Sequence, residues 1–427
     1  MTAGPNEAAG RETVLMVTTS YPRFPGDTIG TFMEPIARGL AARGHAVHVV
    51  LPWHPRLARP EAEHGVFFHP YRYAPVRSLN VFGYAGALSE DVRLRRSAWA
   101  VAPLALVAGW RAARVVGRRV GATVIHGHWV VPGGAIAAAA AGRRLPLVIS
   151  LHGSDVYVAE RHAIAGAVAR AAFHRAGWVT ACSEDLRTRA HVLGASPDRS
   201  ETVPYGVDAR RFAPNPAARA AVRERMGLTA SDPVVFTAGR FVRKKGFEYL
   251  IDATALLAAR WPALVCVIGG GGDLDEELKT RAAARGVIDR VRFVGVLGQD
   301  EVAEHLAAAD VVVVPSVRDA SGNVDGLPNV VMEALASGTP LVATTAGGIP
   351  AVVTDGATGL LVPERNSEAL AAAVDRLLND AGMRGRIGRD ARSEAIRLRS
   401  WERVAERFED AYRSARRFLC VKSSADS

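Results

Sequence analysis

The sequence predicts an α/β protein made of two doubly wound parallel-sheet (Rossmann-like) domains in tandem. Three observations carry this. The 427 residues are enough for two domains of ordinary size, each with its own core. Short continuous β-branched runs alternate with helical stretches, as expected of parallel strands covered on both faces. The texture changes once, near Gly206, where VDARRFAPNPAARAAVRERMGLTASDP is dotted with proline and charge and reads as an interdomain connection. The expected boundaries are 13–206 for the first domain, 207–232 for the connection, 233–396 for the second domain and 397–419 for a final helix.

Taken in order, residues 1–12 form a polar leader without a charged segment running into an apolar stretch, so no signal peptide is expected. TVLMVTTSYP and AVHVVLP are strands separated by a helix from Phe32 to Arg43 that stops at Gly44. GVFFHPY, TVIHGHW, PLVISLHG, WVTACS and ETVPYG complete the first series. The run AWAVAPLALVAG, Ala98 to Gly109, is too short to span a bilayer, which takes about 20 apolar residues. A buried helix is expected there, with an interfacial membrane helix as the alternative. The second series is PVVFTAGR, LVCVIGG, VRFVGVL, DVVVVPS, PLVATT and GLLVP. Ser400 suits the N-cap of the last helix, and Val404, Phe408, Tyr412 and Ala415 give that helix one apolar face. The tail CVKSSADS is expected to be disordered.

Charge and cysteine usage narrow the function classes. The net charge is +10, but its arginines are scattered, with no basic tail and no RNA-binding signature, which argues against nucleic acid. An anionic membrane surface, or an acidic lipid-linked acceptor, is the better partner for this charge. Cys182, Cys266 and Cys420 are odd in number and far apart, so neither a disulfide framework nor a zinc site follows. A reducing compartment, and hence a cytoplasmic protein peripheral to the inner face of the membrane, is the expectation. There is no G-x-S-x-G elbow and no Walker loop.

The most informative stretch is DGLPNVVMEALASGTPLVATTAGGIP, Asp325 to Pro350. Pro328 sits at a first helical position and Gly338 just past the helix end. Val330, Val331, Ala334 and Leu335 form an apolar stripe, leaving Asn329 and Glu333 on another face. A loop feeding a helix N-terminus beside parallel strands suits an anion, and Glu333 can accept hydrogen bonds from a vicinal diol such as ribose. A second motif, GRFVRKKG, follows the strand VVFTA. In a chain with only four lysines, Lys244 and Lys245 stand side by side there. Beside the acidic motif this loop reads as a diphosphate clamp, in which Arg240 forks across two phosphate oxygens while a lysine acts as a compact point charge. In IGGGGDLDEEL the glycines do not make a dinucleotide fingerprint, and Asp273 and Asp275 read as first-turn helix acids instead of metal ligands.

These motifs resemble those of family 4 glycosyltransferases, retaining enzymes of GT-B architecture. Their donor motif is Glu, seven residues, Glu, then A-x-x-x-G-x-P and a Gly-Gly turn; here Glu333, Ala334, Gly338, Pro340, Gly347 and Gly348 match. The chain departs from it with Asp325 as the first acid and Ala351 after the turn. VPYGVDARRF resembles the family's V-P-N-G-V-D hinge, with Tyr205 replacing Asn. The resemblance implies that the last helix crosses back onto the first domain. It assigns catalysis to His152, Asp325, Arg240 and Lys245, with His152 beside the anomeric carbon. It assigns donor binding to Gly30, Arg240, Lys245, Leu297, Asp325, Gly326, Leu327, Pro328, Asn329 and Glu333. His126, His128 and Asp155, near the ends of first-domain strands, are candidates for the acceptor pocket. The implied reaction moves a sugar from a nucleotide diphosphate sugar to a glycan or lipid-linked acceptor with retention, using no metal and no cofactor. SVRDASGNVDG resembles members that build exopolysaccharides. The alternatives are a GT-B-fold nucleotide-sugar epimerase and a non-catalytic sugar-nucleotide-binding protein.

Overall fold

Branched apolar runs cannot leave backbone polar groups unpaired in a core, so they line up as strands, and the helices between them cover both faces. The computed structural model describes residues 10–425, apart from 77–78, 81–82, 85–87, 90–92 and 95. Residues 1–9 of the expected leader lie outside this set. The chain forms two units, one of residues 1–181, 186–203 and 404–427, the other of residues 182–185 and 204–403.

The first unit holds strands β1 (Thr13–Val17), β2 (Ala46–Pro52), β3 (Ala62–Glu63) and β4 (Val66–Tyr71), with helix α1 (Met33–Ala42) after β1. A two-strand hairpin, β5 (Leu88–Ser89) and β6 (Arg93–Leu94), precedes helix α2 (Arg96–Arg119). Then come β7 (Val124–His128), α3 (Ala135–Ala141), β8 (Leu147–Leu151), α4 (Ser154–Arg161), α5 (Ala163–Arg175), β9 (Trp178–Ala181), α6 (Glu184–Val192) and β10 (Ser200–Thr202). The sheet runs β10-β9-β8-β7-β1-β2-β4-β3, parallel except for β3 against β4. Its strand order reverses between β1 and β7, which is where a doubly wound sheet opens a crevice for ligands.

In the second unit, helix α7 (Pro216–Arg225) lies within the proline-dotted stretch. Asn215 caps this helix by accepting from Ala218 N–H at 3.0 Å. Buried Arg223 pins it through Asp310 at 2.7 Å. Strands β11 (Val234–Ala238), β12 (Val265–Gly269), β13 (Val291–Phe293), β14 (Val311–Val314), β15 (Leu341–Thr344) and β16 (Leu360–Val362) follow. Helices α8 (Phe247–Leu257), α9 (Asp275–Ala284), α10 (Gln299–Ala308), α11 (Asn329–Ser337), α12 (Ser367–Asn379) and α13 (Ala381–Leu398) alternate with them and close the unit. The order β13-β12-β11-β14-β15-β16 is parallel throughout and reverses between β11 and β14. The two doubly wound sheets are those expected from the sequence.

Three expectations change in detail. The last helix, α14 (Trp401–Ala425), does not stop at Leu419; neither Pro nor Gly interrupts CVKSSA, so the helix propagates from its anchored turns. From Val404 it belongs to the first unit, where Glu409 meets Arg43 at 2.7 Å and His45 at 2.9 Å. The apolar run 98–109 lies in α2 but is buried on one side only. Val101, Ala105, Gly109, Ala113 and Val116 face inward, whereas Leu104 and Val107 are each 54% exposed and Val115 64%. The small residues are the buried ones because α2 packs closely: a Cβ on Gly109 would lie 2.7 Å from Ile136 Cδ1 and 2.9 Å from Tyr71 Oη. Finally, α11 starts one residue later than expected, with Pro328 as its N-cap and Gly338 closing it at φ 68°.

Candidate functional site

In the second unit the loops after β11 and β14 flank the point where the strand order reverses, and both expected motifs lie in them. GRFVRKKG leaves β11 and turns through a single 3₁₀ turn, Arg243–Lys245. Its Lys244 carbonyl accepts the Val317 N–H at 2.8 Å, which ties it to the loop leaving β14. That second loop delivers Asp325, whose Oδ2 lies 2.7 Å from Lys245 Nζ and whose Oδ1 lies 3.2 Å from Lys244 Nζ. Two ammonium groups thus share one buried carboxylate. Lys244, which the family pattern leaves beside the matched Lys245, is buried and is a counter-ion of Asp325. Lys245 and Asp325 are only slightly more open, and Arg240 is exposed.

Glycines hold this corner together by backbone-to-backbone packing. A Cβ on Gly347 would collide with the Asp325 carbonyl oxygen, and one on Gly348 with that of Gly326. The Gly-Gly turn is therefore the support on which the acidic loop lies. The turn after β12 plays the same part for the clamp. Gly239 N–H donates to Gly269 C=O and Phe241 N–H to Gly271 C=O, both at 2.9 Å. IGGGG thus packs against the clamp loop, and Lys279 pairs with Asp275 at 2.5 Å and with Glu276 at 3.1 Å. Among the described residues no group of three His, Cys, Asp or Glu could hold a metal ion. Leu297 packs over Gly269, where an added Cβ would lie 2.6 Å from its Cδ1.

Helix α11 carries the remaining donor candidates. Gly326, Leu327 and Pro328 are buried, while Asn329 and Glu333 keep partial exposure one turn apart. Desolvation by the surrounding packing pushes the Glu333 carboxyl up to about 7, opposed by the positive charges of Lys245 and Arg211. A carboxyl poised at neutrality beside a cationic corner can take hydroxyl donors and change charge on binding.

In the first unit the loops after β1, β7 and β8 converge. Gly30 has φ 65° and accepts Met33 N–H at 2.9 Å, opening α1. Phe32, the N-cap of α1, lies 4.7 Å from the His152 ring, and Trp129 lies 4.8 Å from it. His152 follows β8, is half-buried, and bonds His128 Nδ1 through Nε2 at 2.9 Å. His126, His128 and Asp155, expected at the acceptor, are buried in the protein. Asp155 accepts the Val130 N–H at 2.7 Å and the Gly153 N–H at 3.0 Å. Burial pushes it up to about 6 despite those donors. These three side chains build the floor under His152, and the aromatic pair Phe32 and Trp129 flanks it. The pair escaped the sequence reading; the Trp closing HGHW was its only signal.

Known proteins share this architecture. The pattern of "Glycosyltransferase Family 4" matches residues 29–211, and that of "Glycosyl transferases group 1" matches residues 219–394. A GDP-mannose-dependent alpha-(1-6)-phosphatidylinositol monomannoside mannosyltransferase of Mycobacterium tuberculosis is 31% identical over 412 residues, covering 94% of this chain and 98% of the relative. A D-inositol 3-phosphate glycosyltransferase of Acidothermus cellulolyticus is also 31% identical, over 95% of this chain and 90% of the relative. The Anabaena HepE structure in complex with UDP superposes with a TM-score of 0.74 at 21% identity, covering 94% of this chain and all of that one. WaaG, a glycosyltransferase involved in lipopolysaccharide biosynthesis, gives 0.65 at 18% identity over 93% and 98%.

Proposed function

We infer, for a chain that belongs to the group 1 glycosyltransferases of family 4, that its donor is a nucleotide diphosphate sugar of the GDP-mannose kind and its acceptor a lipid-linked glycan. The observation that carries this reading is the Lys244–Asp325–Lys245 cluster beside Glu333 at the strand reversal of the second unit. Arg240 and Lys245 stabilise the charge growing on the leaving diphosphate, an electrostatic role that preorganised cations fill without a metal. Glu333 accepts the ribose hydroxyls. Asp325 holds Lys245 in place and takes hydroxyls of the transferred sugar. His152 stands beside the developing oxocarbenium ion, and the anomeric configuration is retained. The mycobacterial relative, named for GDP-mannose and a phosphatidylinositol mannoside, supports this choice of donor and acceptor.

An amphiphilic acceptor brings the enzyme to the membrane surface. No helix among the described residues is long and apolar enough to cross a membrane. Helix α2 instead exposes Leu104, Val107 and Val115 among exposed Arg111, Arg114, Arg118 and Arg119. Arg114 lies over the half-buried Trp110 ring at 5.8 Å. That face suits an interfacial helix on an anionic leaflet, each arginine contributing about 1 kcal/mol.

The deciding experiment is a thermal-shift panel of GDP-mannose, UDP-glucose and ADP-glucose, followed by transfer to phosphatidylinositol mannoside in anionic vesicles. A donor at about 100-fold its dissociation constant adds about 2.7 kcal/mol of stability. GDP-mannose should stabilise most, and transfer should survive EDTA. No stabilisation by any nucleotide sugar overturns the reading. Turnover of donor without acceptor into an epimer replaces it with the epimerase. Activity lost to EDTA and restored by manganese makes Asp273 and Asp275 metal ligands.

A further inference from the structure

We propose that His128 is a positioning residue for sugar transfer, fixing the tautomer of His152 so that the proton of its neutral ring sits on Nδ1. The proposal rests on the reading of His152 as the group beside the transferred sugar.

The geometry begins with the strand. His126 and His128 are two residues apart on β7 and share one face of the sheet, both fully buried. His126 is held at both nitrogens, Nδ1 2.9 Å from Tyr412 Oη and Nε2 2.6 Å from Ser150 Oγ. Ser150 continues the chain to Thr180 Oγ1 at 2.6 Å. His128 packs on this fixed ring with centroids 4.1 Å apart. On its other side it lies nearly parallel to His152, 9° between planes, with the 2.9 Å bond between His128 Nδ1 and His152 Nε2. The His128 ring is therefore clamped between two others and cannot turn to exchange its nitrogens.

Burial holds all three rings below the ordinary histidine range, His126 and His152 at about 3 and His128 well below its usual value. The rings are neutral near pH 7, so the His128–His152 bond holds one proton, with two arrangements open to it. If His152 Nε2–H donated, His128 would carry its own proton on Nε2. That atom is buried and has no hydrogen-bonding partner among the described residues. An orphaned buried N–H is the rarer and more costly defect. If His128 Nδ1–H donates instead, only a bare lone pair is left there, and His152 takes its proton on Nδ1. The second arrangement fixes the His152 proton on the nitrogen away from His128 and adds no positive charge beside an oxocarbenium ion. Trp129, which follows His128, packs on His152 from a backbone at φ 61°, a conformation bulky residues rarely adopt.

The test combines ¹⁵N NMR of histidine-labelled wild-type protein with kinetics of His128→Leu, His128→Asn and His152→Ala, using GDP-mannose as donor. The signals of His152, assigned by their loss in His152→Ala, should show the proton on Nδ1. His128→Leu should lower kcat by about 10–100-fold, the usual effect of losing an orienting partner, with donor KM little changed. His128→Asn, whose amide can donate from nearly the Nδ1 position, should recover most of that loss even if its melting temperature is no higher. A merely structural histidine would have both variants follow their melting temperatures. If His152→Ala keeps wild-type turnover, the reading of His152 fails and the proposal with it. If His152→Ala is inactive while His128→Leu keeps full kcat, or the wild-type His152 proton sits on Nε2, the proposal alone fails. Should His128→Leu not fold, the wild-type tautomer and the Asn variant still decide.

Discussion

Donor affinity should rise about tenfold between about pH 6 and about pH 8, and Glu333 should be the cause. Its carboxyl is pushed up to about 7, first by burial. The ionised form can accept both ribose hydroxyls, whereas the protonated form loses acceptor capacity. With a midpoint of 7, about a tenth of the protein is ionised near pH 6 and about nine-tenths near pH 8. The sign is fixed by that form: affinity is gained as pH rises through 7 and lost as it falls. Calorimetric titration with GDP-mannose measures it cleanly, because the phosphates of a nucleotide sugar are diesters and do not titrate in this range. The histidines near 3 are neutral across it as well. Glu333→Gln should flatten the profile and weaken binding near pH 8 by about 10–100-fold, the worth of a hydrogen bond to a charged group. A flat wild-type profile, or the same slope in Glu333→Gln, would refute the assignment.

Lys245→Ala should lower kcat by about a hundredfold with the fold intact, as removal of one preorganised donor does, read by steady-state kinetics alongside circular dichroism. Lys244→Ala should instead act on stability, because it strips a buried carboxylate of a partner 3.2 Å away; a loss of about 3–5 kcal/mol in urea unfolding is the upper expectation, moderated by the remaining Lys245. Equal kinetic losses at unchanged stability would return Lys244 to the phosphate. Asp155→Asn, which turns one of two acceptor oxygens into an N–H₂ facing a backbone N–H, should destabilise by about 1–3 kcal/mol, and an unchanged melting temperature would contradict that geometry. Gly109→Val should cost about 1–3 kcal/mol by overpacking against Ile136 and Tyr71. In the same calorimetric scan, a neutral result would mean that α2 can move away.

The parallel strands were legible because each is a continuous apolar run bounded by turn residues, and every one expected is present. The second-unit corner was legible for a different reason. Acid, lysine and glycine types stand there in the order and spacing of a family pattern, which singled out Asp325 and Lys245; that the two would lie 2.7 Å apart was not among the expectations. What failed was anything set by depth. Nothing in the sequence set Lys244 apart by depth, and lysines are usually exposed, yet one 3₁₀ turn points it at the same carboxylate as its neighbour. Hydropathy placed the 98–109 run inside, but close packing selects small side chains, so α2 buries its alanines and Gly109 and leaves Leu104 and Val107 outside.

The histidines of HGHW show the limit most plainly. Considered locally, each was as easily a packed or surface histidine as a functional one. Their surroundings come from elsewhere in the chain: Tyr412 and Phe408 arrive on α14, with the Tyr412 hydroxyl 2.9 Å from His126 and the Phe408 ring 5.0 Å from it. That helix begins in the unit that carries the donor motifs and ends in the one that carries His152. The residues that bury His126 therefore lie on a helix whose first residues belong to the other unit. A change at Tyr412 should then be felt at His152 through the His126 and His128 rings. Tyr412→Phe removes a hydroxyl while keeping the packing, so any kcat loss it causes without a shift in melting temperature would measure how firmly that floor holds the His152 ring.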